Sequence, residues 1–379
     1  MADDPDLPEP DRTEGAPHPR ETAAVLGQQA AEAGFLDAWN HGRLHHAWML
    51  TGPKGVGKAT LAWKIARFLL TTPDPGTDGG LFGAPEPPGS LDTDPESPVA
   101  RRMRALAEPR LFLLRRAPND KRNAISQVIT VDEVRRMKSF FALSAADGGR
   151  RVAIVDSVDE MNPNAANALL KLLEEPPPGT TFLMVSHQPA RLLPTIRSRC
   201  RELRLTPLAP DALSDALTQA GGLAQPHEIA ALSELAGGSA GEAFRLTNLE
   251  GLETYAALVT LFSTLPRLDR PRALALSEAA GARGQGDRFD LVLTQIELFL
   301  SRLARAAAKR ETPPEAAPGE AALFARLAPG TAAARPWAEL AQSLTLRARR
   351  GKSVNLDPAA LLMDILLRID AMAGSLASG

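Results

Sequence analysis

A single cysteine, Cys200, stands among 379 residues. That excludes an internal disulfide framework and any multi-cysteine zinc site. Long apolar runs are also missing, and no window approaches the roughly eighteen consecutive apolar residues of a bilayer-spanning helix. The first stretch, MADDPDLPEPDRTEG, is acidic and lacks the apolar core of a secretory signal, so a cytoplasmic protein is expected, with no membrane partner. Nor is there a surplus of positive charge. Lys and Arg number 43 against 45 Asp and Glu, a formal net charge of -2, so no global positive field recruits nucleic acid. No repeat of fixed period occurs.

What is present is the composition of a folded protein. Apolar residues make up 44% and charged residues 23% of the chain, and its length allows two or three domains with real cores. Residues 1–20 are rich in Pro, Asp and Glu and read as a loose, disordered tail. Over 21–208, strand-like and helix-like stretches alternate, as in an α/β domain with a mostly parallel sheet. A helix around FLDAWN leads to a short strand at 47–50 and a glycine loop, after which Leu61, Ile65 and Phe68 repeat at helical spacing. RVAIVD and TTFLMV read as buried strands. Between them PNAANALLKLLEEPP is a helix opened by one proline and closed by others. Residues 71–100 hold seven prolines and five glycines and read as an exposed insertion.

Beyond Pro207 the patterns are helical. Residues 209–248 form a small alanine-rich unit and 249–379 a larger helical domain. In the latter, Phe289, Val292, Ile296, Phe299 and Leu303 mark one apolar stripe and Trp337, Leu340 and Leu344 another. Each stripe reads as an internal core or as a face for partners. Asp357 and Pro358 read as the cap and first residue of the last helix.

The chemistry concentrates at residues 52–60, GPKGVGKAT. Gly52, Gly55, Gly57 and Lys58 fit the G-x-x-x-x-G-K pattern, between a strand and a helix as a phosphate loop requires. Glycines allow backbone N–H groups to curl around phosphates, the helix presents its positive end, and Lys58 adds a charge. The plainer alternative is a glycine-rich turn before a helix. The hydroxyl that ligates magnesium in such loops is missing: Ala59 follows Lys58, and Thr60 is one residue late. At the end of VAIVDSVDE, Asp156 stands where an aspartate would hold the magnesium shell. The next residue, where an ATPase commonly has a glutamate base, is Ser157, a very poor proton acceptor at neutral pH. Asp159 and Glu160 are shifted, and read as a displaced base or as an acidic turn at the strand end. Nucleotide binding is compatible with these residues, while turnover is not expected. A little further on, LLPTIRSRC places Ser198, Arg199 and Cys200 after the strand TTFLMV; an arginine there reads as a solvated residue or as one delivered to a neighbour's phosphoryl group.

Taken in order, the strings RLHHAWMLTGPKGVGKATLAWKIARFLL, AANALLKLLEEPP and PTIRSRC resemble the delta-prime family of clamp-loader subunits of bacterial DNA polymerase III, within the AAA+ superfamily. The resemblance spans the ordered chain and is strongest over 43–70 and 125–208. It implies an AAA+ phosphate-loop domain, then a helical lid domain, then an all-helical collar domain that joins a ring of subunits. It implies that Arg199 is a finger acting in trans on ATP held by an adjacent motor subunit. It also places ATP or ADP, bound weakly and without hydrolysis, on Gly52, Gly55, Val56, Gly57, Lys58, Ala59 and Thr60, with Asp156 on the magnesium side and Ser186 at the sensor-one position. The implied partners are gamma/tau motor subunits, a delta subunit, the sliding clamp and primer-template DNA, in a replisome-associated DNA polymerase holoenzyme. Where motor subunits carry a sensor-two arginine, this chain has Gly238, Ser239, Ala240 and Gly241. Many family members carry a four-cysteine zinc module; with Cys200 alone, no zinc or other metal is expected here. The alternatives are a self-sufficient AAA+ ATPase, against which Ala59, Ser157 and Gly241 argue, and a nucleotide-binding adaptor outside replication.

Other chemistry-bearing residues read more simply. His45 and His46 have no acidic or cysteine cluster beside them and read as packing or hydrogen-bonding groups. Glu174 and Glu175 end a helix before two prolines and read as surface residues. Cys200 reads as packed, since nothing near it marks a lowered pKa. Gly27 and Gln28 lie in a VLGQ string that in the AAA+ family runs close to the adenine.

Overall fold

A computed structural model describes residues 9–378 except 23, 75–85, 120–123, 143–148, 222–225 and 283. The chain divides into two compact units, Met1–Leu223 with Gly238–Phe244, and Ala224–Gly237 with Arg245–Gly379.

In the first unit the elements run α1 (Gln29–Asn40), β1 (Ala47–Thr51), α2 (Lys58–Thr71), α3 (Pro98–Arg104), β2 (Leu111–Arg115), α4 (Val131–Ala142), β3 (Arg151–Asp156), α5 (Pro163–Glu174), β4 (Thr180–Val185), α6 (Pro194–Arg197), β5 (Arg201–Arg204) and α7 (Pro210–Gln219). The five strands form one sheet in the order β2-β3-β4-β1-β5, and every pairing is parallel. Side chains alternate across each strand. Trp48 and Leu50 of β1 pack with α1 and α2 on one face. Ala47 and Met49 pack with α4 and α5 on the other. Burial on both faces is why these strands read as continuous apolar runs.

The register fixes which strand ends meet. Leu50 lies opposite Val185, and Asp156 opposite both Val185 and Arg115. The carboxyl ends of β1, β2, β3 and β4 are therefore level, the edge at which parallel sheets build their sites.

Two stretches differ from the composition-based reading. Residues 9–20, part of the expected loose tail, are held to the unit. His18 is fully buried and meets the Trp63 ring edge-on at 5.9 Å, and Arg67 donates to the carbonyls of Arg20 and Thr22 at 3.1 and 2.8 Å. Residues 1–8 of that expectation lie outside the described residues. Residues 86–100 are not simply exposed: Leu91 is buried in the core, Asp92 pairs with Lys64 at 2.9 Å, and Ser97 caps α3, with Pro98 in its first turn. Composition signalled turns there but carried nothing of the partners across the fold.

The second unit is helical: α8 (Pro226–Ala236), α10 (Gly251–Phe262), α11 (Arg270–Gly281), α12 (Gly286–Lys309), α13 (Glu320–Leu327), α14 (Ala334–Ser353) and α15 (Pro358–Ser378), with α9 (Ala240–Asn248) running from one unit into the other. The α12 stripe and Trp337 are buried, and the Phe299 ring stacks with Phe262 and Phe324 at 4.8 and 5.3 Å. Asp357 accepts from the Ala360 N–H at 2.7 Å, capping α15 as its sequence implies.

Candidate functional site

The loop between β1 and α2 meets the level strand ends. Lys58, the first residue of α2, is buried, and its Nζ donates to the carbonyls of Gly52, at 2.7 Å, and Pro53. Val56 is buried; its carbonyl accepts from Gln28 Nε2 at 3.1 Å. The same Gln28 amide donates to the Thr206 carbonyl at 2.8 Å, and its oxygen accepts from the Thr206 N–H at 3.1 Å. Gln28 thus ties the loop to the chain leaving β5. Ala59 and Thr60 lie partly buried in the first turn of α2.

Gly55 has φ +78°, a conformation that glycine adopts without steric cost. A Cβ there would stand 2.3 Å from Ser239 Oγ and 3.0 Å from Gly241 Cα. The two segments are bonded as well as close: Ser239 Oγ donates to the Lys54 carbonyl at 2.9 Å, and the Gly241 N–H donates to the Gly55 carbonyl at 3.1 Å. Residues 239–241, noted in the sequence for a missing arginine, press on the glycine loop.

Asp156 ends β3 beside this loop. Burial, then the negative charges of Asp11 and Glu160, push its carboxyl up to about 7 against the pull of Lys58 and Arg115. Burial lowers the Lys58 ammonium to about 8, although Asp156 and Asp159 favour its charge. Ser157 is buried, and its Oγ has no hydrogen-bond partner. Asp159 lies in a short 3-10 turn after β3. Its carboxylate accepts from Ser186 Oγ at 2.8 Å and from the N–H groups of His187 and Gln188. It anchors the end of β4, with its lone pairs committed to that turn. Glu160 pairs with Arg116 at 2.9 Å.

The glycine loop, the helix start and Lys58 suit phosphate oxygens. The magnesium that accompanies ATP in hydrolysing sites does not find its hydroxyl ligand in Ala59, and Ser157 Oγ is no base. The structure therefore brings together residues 52–60, Asp156 and Ser186, and it adds Gln28, Asp159 and Ser239 to them.

Arg199 is elsewhere. It lies between α6 and β5, and Arg201, two residues on, pairs with Trp48 near the start of β1. That is the amino end of the strands. At about 3.3 Å per residue, β1 separates that end from the glycine loop by roughly 15 Å. The Arg199 guanidinium is a third exposed and pairs with Glu174 of α5 at 2.9 Å; it also donates to the Thr195 carbonyl at 3.0 Å. Cys200 Sγ sits 2.9 Å from the Ile196 carbonyl, and burial pushes its thiol up to about 12, so it is packed and protonated at neutral pH.

Known proteins share this arrangement of sequence. Residues 27–209 match the family described as DNA polymerase III, delta subunit. The chain is 39% identical over 155 residues to DNA polymerase III subunit delta' of Pseudomonas aeruginosa, covering 41% of each. It is 30% identical over 224 residues to the delta' subunit of Bacillus subtilis, covering 59% of this chain and 60% of that one. It is 26% identical over 305 residues to DNA polymerase III subunit tau of Salmonella typhimurium, covering 76% of this chain and 44% of that one. The chain thus spans between 41% and 60% of the length of these relatives.

Proposed function

We propose that this chain, which over residues 27–209 matches the family described as DNA polymerase III, delta subunit, is a clamp-loader subunit of the delta-prime kind that does not hydrolyse ATP itself and acts on its neighbour's nucleotide. In this reading 209–248 is a lid and 249–379 a collar through which it joins gamma/tau motor subunits and a delta subunit. The assembled ring opens a sliding clamp and sets it on primer-template DNA. The work is cytoplasmic, at the replisome, with ATP or ADP bound weakly at most and no zinc.

The observation that carries the reading is the placement of Arg199. It sits roughly a strand's length from its own phosphate loop, partly exposed, and steadied by Glu174 and Thr195. An arginine so placed is out of reach of phosphates at Lys58 and free to meet those of another subunit, where a guanidinium stabilises charge on a transferring phosphoryl group. Its own site matches: Ala59 removes a magnesium ligand and Ser157 a base. When bound, the nucleotide would supply phosphates to the loop N–H groups and Lys58; the chain's residues would hold it without activating water.

Two measurements test this. The isolated chain should show no magnesium-dependent ATP turnover; turnover by a pure sample would favour a self-sufficient ATPase instead. In a complex reconstituted with gamma/tau-type subunits, Arg199→Ala should leave assembly intact and lower the ATPase rate. At the site it serves, such an arginine is worth about a thousandfold or more. An unchanged rate would refute the assignment.

A further inference from the structure

Residues 9–16 do not lie at the margin of the unit; they cross the end of the sheet where the phosphate loop sits. Asp11 is almost fully buried and pairs with Arg115, the last residue of β2, which lies opposite Asp156 in the sheet register. His18 Nε2 stands 3.2 Å from the same Asp11 carboxylate. Glu9 pairs with Arg20, and with Arg115 at 3.4 Å. The Pro10 carbonyl accepts from Arg116 at 3.4 Å. One step further along, Thr13 Oγ1 is 3.6 Å from where a Cβ on Gly241 would project, and the Gly241 N–H is bonded to the Gly55 carbonyl. The segment therefore runs from the flank of α2, past Asp156, to the residues that press on the centre of the glycine loop.

We propose that residues 9–16 are a built-in occupant of the nucleotide cleft, an acidic strap that a nucleoside di- or triphosphate must displace to reach Lys58. Three features point the same way. Arg115, a cation at the mouth of the cleft, is engaged by the chain's own carboxylates. Asp11 adds negative charge where phosphates would bring more, and its field already acts on Asp156. Gly55, whose neighbourhood a phosphate would enter, is covered by Ser239 and Gly241, with Thr13 beside them. The strap does not stand on composition alone: against the burial that opposes it, His18 and Arg115 hold the Asp11 carboxyl below its usual range. The inference rests on the phosphate-loop reading of residues 52–60 and not on the role of Arg199.

The test is a titration of the isolated full chain with a fluorescent ATP analogue and with ADP, compared with a chain lacking residues 2–16 that keeps His18. If the strap occupies the cleft nine-tenths of the time or more, removing it tightens apparent affinity by about tenfold or more. The gain should vanish with Lys58→Ala. Should the shortened chain fail to fold, the full-length double variant Glu9→Gln, Asp11→Asn serves, since it loosens the grip on Arg115 without shortening the chain. A second readout is trypsin cleavage after Arg12, an exposed residue, which saturating nucleotide should accelerate in the full chain. Equal affinity with and without the strap, or cleavage indifferent to nucleotide, overturns the proposal. Neither outcome bears on Arg199, whose test is turnover in the complex.

Discussion

Asp156 and Lys58 face one another across the candidate site with their pKa values drawn together, to about 7 and about 8. For Asp156 the sign is definite. A carboxyl whose folded pKa exceeds its unfolded value of about 3.9 keeps a proton in the folded state over the interval between them. The associated stability is fully present below about pH 4 and is lost as pH rises through 7. Asp156→Asn, which stays neutral, should therefore be nearly silent at pH 4 and stabilising at pH 8, by at most a few kcal/mol. Urea denaturation at pH 4, 6 and 8 reads this directly, and an effect that does not grow with pH would contradict the burial of that carboxyl. Glu174 invites a different test. Its pair with Arg199 is partly exposed, so Glu174→Ala should change stability by less than about 1 kcal/mol. If the pair aims the guanidinium, the same change should reduce turnover of a reconstituted complex, though by less than Arg199→Ala, and Glu174→Gln should restore part of it.

At the scale of elements, β1, β3, β4, α5 and the cap of α15 were legible because their signals are local. A short continuous apolar run, a proline at a helix start and glycines between a strand and a helix each sit within a few residues. What escaped joins residues far apart. Ser239 reaches the Lys54 carbonyl across 185 positions, and Gln28 reaches Thr206 across 178. The commitment of Asp159 to the turn after β4 was hidden in the same way, and so was the packing of residues 9–22. Glu320 is the strongest case. At the start of α13, after a polar loop, it looks like a solvated charge, yet it is almost fully buried. It bonds Tyr255 Oη at 2.5 Å and Arg302 Nε at 3.0 Å, and Arg302 also reaches Glu234 at 2.8 Å. Removing Glu320 leaves the buried Arg302 only Glu234 and the Pro314 carbonyl, and leaves Tyr255 Oη without its acceptor, a loss of at most about 3–5 kcal/mol. Glu320→Ala should therefore speed amide hydrogen exchange in α10, α12 and α13. Unchanged protection there would mean that the network is idle.

For the whole molecule, the sheet separates two kinds of chemistry. Its carboxyl end holds the glycine loop and Lys58, with Ala59 and Ser157 where a magnesium ligand and a base would stand, and its amino end presents Arg199, roughly a strand's length from that loop. If the chain acts only through Arg199, the two ends are functionally independent, and distant independent sites combine additively. A complex reconstituted with gamma/tau-type subunits then makes a three-part prediction. Lys58→Ala in this chain leaves ATP turnover of the complex unchanged. Arg199→Ala lowers it. The double variant matches Arg199→Ala alone. A fall with Lys58→Ala would instead mean that nucleotide held in this chain contributes to the cycle, either through its own hydrolysis or through a conformation it sets. Those two cases separate on the isolated chain, because only the first produces phosphate there.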